Sequence, residues 1–377
     1  MKILFLARSL NTGGAERQLV TLAVQLKKRD HDVSVVTFYD DQSLFGQELL
    51  KHNVTVHSLQ KQNRWDVVGF LIRLIALINR EKPEVLHGYL VVPNCLTVFL
   101  KPFFPAVKIV WGVRSSLTDL SQYDWLIRVT YKLEALLSRF ADLIIVNSHA
   151  GVKSSLDSGF PEKNMVVVAN GIDIERFYPD TDTRLSARES QKISNDIFVV
   201  GIVARIDPVK DYANFILGLK TAMAQYENIR GICVGAVDND DYNSRIQKII
   251  EEHNIGNKVL WLGKQSDVNY FLNAFDLYVS SSTSGEGFSN SIAEAMASGT
   301  PCVVTDVGDS AMIVGKTGGV VPPKDAQLLA DSIVHMYECI QRKDLELSKQ
   351  ARERIVCHYT IDKMVNRTER LLLRLIE

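Results

Sequence analysis

The chain has 377 residues, 46% hydrophobic and 23% charged, with a formal net charge of −1. That is a globular composition, and the length suits two domains rather than one core. Five scattered cysteines without a CxxC pair exclude a disulfide scaffold and a cysteine metal site, and read as reduced thiols in a cytoplasmic protein. No run reaches the roughly 18 apolar residues of a membrane span, residues 1–7 are too short for a secretory core, and no nucleic-acid partner is expected. Residues 1–170 are net basic and the remainder net acidic. This suits an acidic acceptor or an anionic membrane surface, and a chance imbalance explains it equally well.

Residues 2–7 are an apolar run of the kind found in a buried parallel strand. Asn11-Thr-Gly-Gly-Ala-Glu16 follows, then an amphipathic helix over 15–28. A strand, a glycine pair and a helix start can cradle a phosphate or simply make a tight turn. Further strands are predicted at 32–38, 54–59, 85–88, 108–112, 143–147 and 165–169, with helices at 65–80, 93–100, 123–139 and 149–155. This alternation predicts a parallel sheet covered on both faces, with ligands at the carboxyl ends of its strands. His87 stands at one such end, where a lone histidine is more often structural than catalytic; Arg114 and Ser115 stand at another, and a guanidinium there suits a phosphate or carboxylate. Asn147-Ser148-His149 reads as a helix cap as much as a site. The helix at 65–80, flanked by Arg64, is apolar enough for a core or an interface, whereas Phe99, Lys101, Phe103, Phe104 and Lys108 are harder to bury and point to a membrane surface.

Asn170-Gly-Ile-Asp is a turn-rich exit from the first domain, and residues 171–196 read as a polar linker. The second domain opens with a strand at 197–204. Arg205 and Lys210 then precede a helix, where two cations can neutralise a diphosphate. Alternation resumes with a strand at 231–235, a helix at 242–253, a strand at 259–262 and a short helix after Asp267, and three helices close the chain at 324–342, 345–357 and 361–376. Asp238-Asn-Asp240-Asp241 is the nearest approach to a metal site and reads better as a turn, so no metal or other cofactor is expected.

The stretch from Gly285 to Asp306 organises the second half. Phe275-Asp-Leu-Tyr-Val-Ser-Ser-Ser reads as a strand, Ser289 to Ala297 as a helix capped by Ser289 or Asn290 and stopped by Gly299, and Pro301-Cys-Val-Val-Thr as the next strand. Gly285 and Gly287 let a ligand approach the backbone at a helix N-terminus, whose unpaired N–H groups favour phosphate. Glu286 and Glu294 lie eight apart, roughly two helical turns, so the two carboxylates can reach opposite ends of one ligand.

Glu286-Gly-Phe-Ser-Asn-Ser-Ile-Ala-Glu294-Ala-Met-Ala-Ser-Gly-Thr-Pro resembles the E-x7-E region of the retaining glycosyltransferases of family 4. The resemblance implies an α/β architecture of the GT-B type: two facing Rossmann-like domains, residues 1–170 and 197–360, a cleft between them, and helix 361–377 crossing back onto the first. It implies a nucleoside diphosphate sugar donor, of UDP or GDP type, held by Gly13, Gly14, Arg205, Lys210, Leu262, Gly263, Lys264, Glu286, Gly287, Phe288, Ser289, Asn290, Ser291 and Glu294. Glu286, Arg205 and Lys210 carry the catalytic expectation; Glu286 contacts the transferred sugar and Glu294 the ribose. Many relatives have a histidine on the strand that here ends in Arg114, so His87 and Arg114 are the acceptor-side candidates. The implied reaction is retaining, metal-independent transfer to a glycan or lipid-linked glycan in cell-surface polysaccharide or glycolipid assembly, in the cytoplasm or at the inner face of the membrane. The rival readings are a nucleotide-sugar epimerase, a glycosyl phosphorylase and a non-enzymatic sugar-binding protein.

Overall fold

The computed structural model of the protein describes every residue except 12, 41–42, 64, 115–124 and 343–344. Ser115 and Arg64 therefore lie outside the described residues. Two compact units divide the chain, the first Met1–Gly171 with Ile361–Glu377 and the second Ile172–Thr360.

The first unit is built on seven strands: β1 (Lys2–Ala7), β2 (Asp32–Thr37), β3 (Thr55–Ser58), β4 (Val85–Tyr89), β5 (Lys108–Val113), β6 (Leu143–Val146) and β7 (Met165–Val167). They form one parallel sheet in the order β3-β2-β1-β4-β5-β6-β7. Ile3 to Leu6 are wholly buried because helices cover both faces of β1, which is why that strand is a continuous apolar run rather than an alternating one. The helix Gly14–Lys28 buries Leu19, Leu22, Ala23 and Leu26, one face at helical spacing, and carries Glu16 in its first turn and Lys27 and Lys28 in its last, matching the helix dipole at both ends. The final helix Ile361–Ile376 places Met364, Val365 and Leu372 in the same core as Ile3 and Leu19. Glu369 on that helix accepts from Arg29 Nη1 at 2.6 Å and lies 2.6 Å from His31 Nε2, so its outer edge is tied by charge as well.

The second unit holds six strands: β8 (Phe198–Val203), β9 (Ile229–Val234), β10 (Val259–Gly263), β11 (Leu277–Ser280), β12 (Cys302–Thr305) and β13 (Gly319–Val321). They too are parallel, in the order β10-β9-β8-β11-β12-β13. In each unit the order reverses once, between β1 and β4 and between β8 and β11. Sheets of this kind bind ligands outside the carboxyl ends of the two strands at that reversal, because the loops there leave in opposite directions and open a crevice.

The polar stretch expected as a linker contains a helix, Thr181–Ser190. Asp180 caps it, accepting from the backbone N–H of Asp182 at 3.0 Å and of Thr183 at 3.3 Å. It is held by a buried arginine: Arg188 pairs with Asp276 at 3.2 Å and donates to the carbonyls of Ala274 at 3.0 Å and Ser194 at 2.9 Å. Apolar periodicity cannot reveal a helix anchored by a guanidinium. The helix predicted from 65 begins at Val68, since Asp66 turns back to accept from Gln62 N and leaves Trp65 exposed. Among the described residues no helix is long and apolar enough to cross a membrane.

Candidate active site

The reversal in the second unit brings together the end of β8 and the end of β11. After β8 the chain runs through Arg205 to the short turn Pro208–Lys210, fixed by Asp207, whose carboxylate accepts from Lys210 N at 3.0 Å. Asp211 follows in left-handed conformation and caps the helix Tyr212–Gln225 through Asn214 N. After β11, Ser281 and Thr283 tie its loop to the β8 loop, and Ser282 between them holds Glu286 within its own loop. Ser281 Oγ donates to the Lys210 carbonyl at 2.8 Å, Ser282 Oγ donates to Glu286 Oε1 at 2.8 Å, and Thr283 N donates to the Val209 carbonyl at 2.8 Å. The outcome is an ion pair between Lys210 Nζ and Glu286 Oε1, with both side chains mostly buried. Water screens such a pair poorly, so each charge strongly determines where the other sits.

The Glu286 loop is compact because two glycines permit it. Gly285 has φ +73°, and Gly308, at φ +62°, lies so close that a Cβ there would stand 2.3 Å from the Glu286 carbonyl oxygen. Asp309 N then donates to the Gly287 carbonyl at 3.1 Å. The helix Asn290–Ala297 starts directly after this loop. Ser289 occupies its cap position, but its hydroxyl lies 3.4 Å from that of Ser291 and caps no backbone N–H. The expected side-chain cap at Ser289 is therefore absent, and its hydroxyl leaves the first-turn donors to other partners. Glu294, one face along the same helix, is only 6% exposed. The buried Tyr278 phenol donates to Ser291 Oγ at 2.8 Å. Burial above all raises its pKa, the hydrogen bond to Ser291 opposes the rise, and Cys302, Glu286 and Glu294 add to it.

Not every expected residue joins this group. Arg205 has a 61% exposed side chain and pairs with Asp238 and, at 3.3 Å, with Asp207, not with the Glu286 loop. The reason is the neighbouring turn, where Asn239 caps the helix Asp240–Glu252 and leaves Asp238 facing the guanidinium. Phe288 is buried edge-on against Tyr359, with ring centroids 5.2 Å apart. Leu262, Gly263 and Lys264 close the edge strand β10. Gly263 has φ +64°, its carbonyl accepts from Gly235 N at 2.8 Å, and the Leu262 carbonyl accepts from Gln265 at 2.6 Å. Among the described residues no three His, Cys, Asp or Glu side chains gather as a metal site.

In the first unit, Gly13 caps the helix that begins at Gly14, in extended conformation and without a side-chain cap, directly after β1. His87 is wholly buried. Its ring lies 5.1 Å from Phe5 and 5.0 Å from Tyr89, neither nitrogen has a partner, and burial, helped by the Arg114 charge, drives its pKa well down. It packs as a neutral ring between Phe5 and Tyr89. Arg114 is 9% exposed, lies over the Tyr89 ring at 4.8 Å and donates to Tyr89 Oη at 2.6 Å and Asn170 Oδ1 at 3.3 Å.

The chain matches the family of glycosyl transferases group 1 over residues 183–354 and glycosyltransferase family 4 over residues 12–176. It is a group 1, family 4-type glycosyltransferase. It is similar to the capsular polysaccharide biosynthesis glycosyltransferase CapM of Staphylococcus aureus, 24% identical over 325 residues that cover 82% of this chain and 81% of CapM. It is also similar to N-acetyl-alpha-D-glucosaminyl L-malate synthase of Bacillus anthracis, 25% identical over 379 residues, 95% of this chain and 93% of that one. The crystal structure of Anabaena HepE in complex with UDP superposes with a TM-score of 0.86 at 23% identity, covering 99% of this chain and 100% of HepE. In this glycosyltransferase the residues that sequence reasoning missed are Asp207, Ser282 and Gly308. Asp207 and Ser282 act within their own loops, on Lys210 N and on the Glu286 carboxylate, and Gly308 approaches Glu286 from the loop after β12; the hydroxyl run after β11 is the sequence signal for Ser282.

Proposed function

We propose that this glycosyltransferase moves a sugar from a nucleoside diphosphate sugar, of UDP or GDP type, to a hydroxyl of a glycan or lipid-linked glycan, with retention of anomeric configuration and without a metal. The Lys210–Glu286 ion pair at the β8–β11 reversal, beside a helix N-terminus that Ser289 does not cap, carries this reading. Bond breaking puts negative charge on the leaving phosphate and positive charge on the sugar. A diphosphate at the Lys210 ammonium and the amides of helix Asn290–Ala297 would be stabilised as it leaves; one such charged contact is worth about 3–4 kcal/mol in a transition state. The same diphosphate, by taking up the Lys210 charge, leaves the Glu286 carboxylate to orient sugar hydroxyls. Glu294, two turns along, takes the ribose. The leaving phosphate oxygen is the base that receives the acceptor proton, since no further carboxylate is needed in this scheme.

The similarity to CapM supports a place in cell-surface polysaccharide assembly. Contact with an anionic membrane is proposed from Phe99 and Phe103, 52% and 67% exposed, around Lys101. Sedimentation with anionic vesicles at low salt tests it, and a protein that stays in the supernatant refutes it. The activity itself is tested by nucleoside diphosphate release from a panel of UDP- and GDP-sugars, UDP first because HepE is solved with it. Release that persists in EDTA and an NMR-assigned product of unchanged configuration are expected; release that EDTA abolishes and Mg²⁺ restores, or an inverted product, refutes the mechanism.

A further inference from the structure

Two donors of different kinds hold the Glu286 carboxylate. Its Oε1 meets the Lys210 ammonium and, at 2.8 Å, the Ser282 hydroxyl. A lysine is a point charge on a flexible four-carbon stem with three rotatable donors, so it attracts a carboxylate without fixing its direction. Serine carries its single donor one carbon from the backbone, and the backbone therefore decides where that proton can point.

That backbone is fixed. Ser282 is 2% exposed, and its carbonyl accepts from Thr305 Oγ1 on β12 at 2.6 Å. On either side, Ser281 and Thr283 are bonded to the Lys210 and Val209 carbonyls. The far end of the Ser282–Glu286 bond is fixed as well. Gly285, at φ +73°, turns the chain so that Glu286 reaches back to the residue four before it, Gly308 packs against the Glu286 carbonyl, and Asp309 N donates to the Gly287 carbonyl at 3.1 Å. Between two fixed stretches of backbone, the rotation left is that of the Glu286 side chain, and a directional bond at its tip selects one orientation.

A bound diphosphate separates the two donors. It competes with Glu286 for the Lys210 ammonium, whereas the one proton of Ser282 is committed to Glu286 on a residue that the protein encloses. We propose that Ser282 is a positioning residue, which holds the Glu286 carboxylate toward the sugar once the donor diphosphate has drawn off the Lys210 charge. The ammonium then serves the leaving group while the hydroxyl serves the carboxylate. What Glu286 does for the sugar rests on the glycosyltransferase reading; the hold of Ser282 on Glu286 does not.

The test has a kinetic and a crystallographic arm. With a UDP- or GDP-sugar that the wild type turns over, Ser282→Ala is expected to lower kcat about tenfold to a hundredfold, the range of a hydrogen bond to a charged group. Donor KM, nucleoside diphosphate affinity and Tm should stay near the wild-type values. In a Glu286→Ala background the same substitution should cost no further rate, because a residue that acts through Glu286 has nothing left to hold. Losses that multiply in the double variant, or a wild-type kcat in Ser282→Ala, overturn the proposal. The crystallographic arm needs neither turnover nor nucleotide. Lys210→Ala removes the ammonium outright, and its Glu286 carboxylate should remain on Ser282; in Lys210→Ala combined with Ser282→Ala it should rotate away. A carboxylate that leaves Ser282 in the first variant, or keeps its place in the second, refutes the hold. If the wild type releases nucleoside diphosphate from no donor of the panel while the carboxylate behaves as expected, the hold stands and the transfer reading falls.

Discussion

Glu134→Gln exchanges one oxygen for nitrogen at a sealed position and deletes one ionisation. Asn94 Nδ2, 3.0 Å from Oε1, can donate equally well to the amide oxygen, so packing and the hydrogen bond survive. What changes is the charge. In the unfolded chain the carboxyl titrates near 4.5, whereas burial raises it to about 7 in the native protein. Between these values the native state binds the extra proton, so stability falls as pH rises and the full penalty is present above the native value. At about 1.4 kcal/mol per pKa unit the gap amounts to about 3 kcal/mol, of which 2–3 kcal/mol develops between roughly pH 5 and pH 8. Glutamine carries no such penalty. Urea unfolding of both proteins across this range, with hydrogen exchange to follow the helix Trp125–Leu137, should therefore show the stability advantage of Glu134→Gln growing by roughly 2–3 kcal/mol toward pH 8. Parallel stability profiles for the two proteins would show that Glu134 titrates as an ordinary surface carboxylate, and the reasoning from its burial would fail.

Lys210→Ala should lower turnover far more than Arg205→Ala, because Lys210 is paired with Glu286 whereas Arg205 is exposed and tied to Asp238; steady-state kinetics showing equal losses would contradict the geometry. Glu286→Ala should chiefly lower kcat and leave nucleoside diphosphate affinity nearly unchanged, whereas Glu294→Ala should chiefly raise the donor KM; calorimetry showing the same loss of nucleotide affinity in both would reverse the assigned roles. Gly308→Ala forces a Cβ to within 2.3 Å of the Glu286 carbonyl at a φ of +62°, and should cost roughly 1 kcal/mol or more of stability while displacing the Glu286 loop; wild-type turnover and Tm would refute that close approach.

Strand positions came directly from the sequence wherever burial is complete. Ile3 to Leu6 and Phe198 to Ile202 must be apolar because helices cover both faces of their sheets, and a run of that length between glycine-rich turns has few other uses. The Glu286–Glu294 motif was legible for a similar reason: loop, cap and helix are contiguous, so spacing along the chain fixes spacing in the fold. Contacts between distant segments were not legible in this way. That Lys210 meets Glu286 while Arg205 turns to Asp238 depends on which loops β8, β9 and β11 place side by side, and strand order is not written in any one segment. The helix Thr181–Ser190 was invisible because Arg188, not an apolar stripe, anchors it. His87 and Arg114 make the contrast plainest. Both are polar residues at the ends of neighbouring strands, and the sequence treats them alike. Only the tertiary structure seals one as a neutral ring among Phe5 and Tyr89 and sets the other, a buried cation, on the Tyr89 ring and Asn170, because the cost of burying a group depends on the partners that other parts of the chain bring to it.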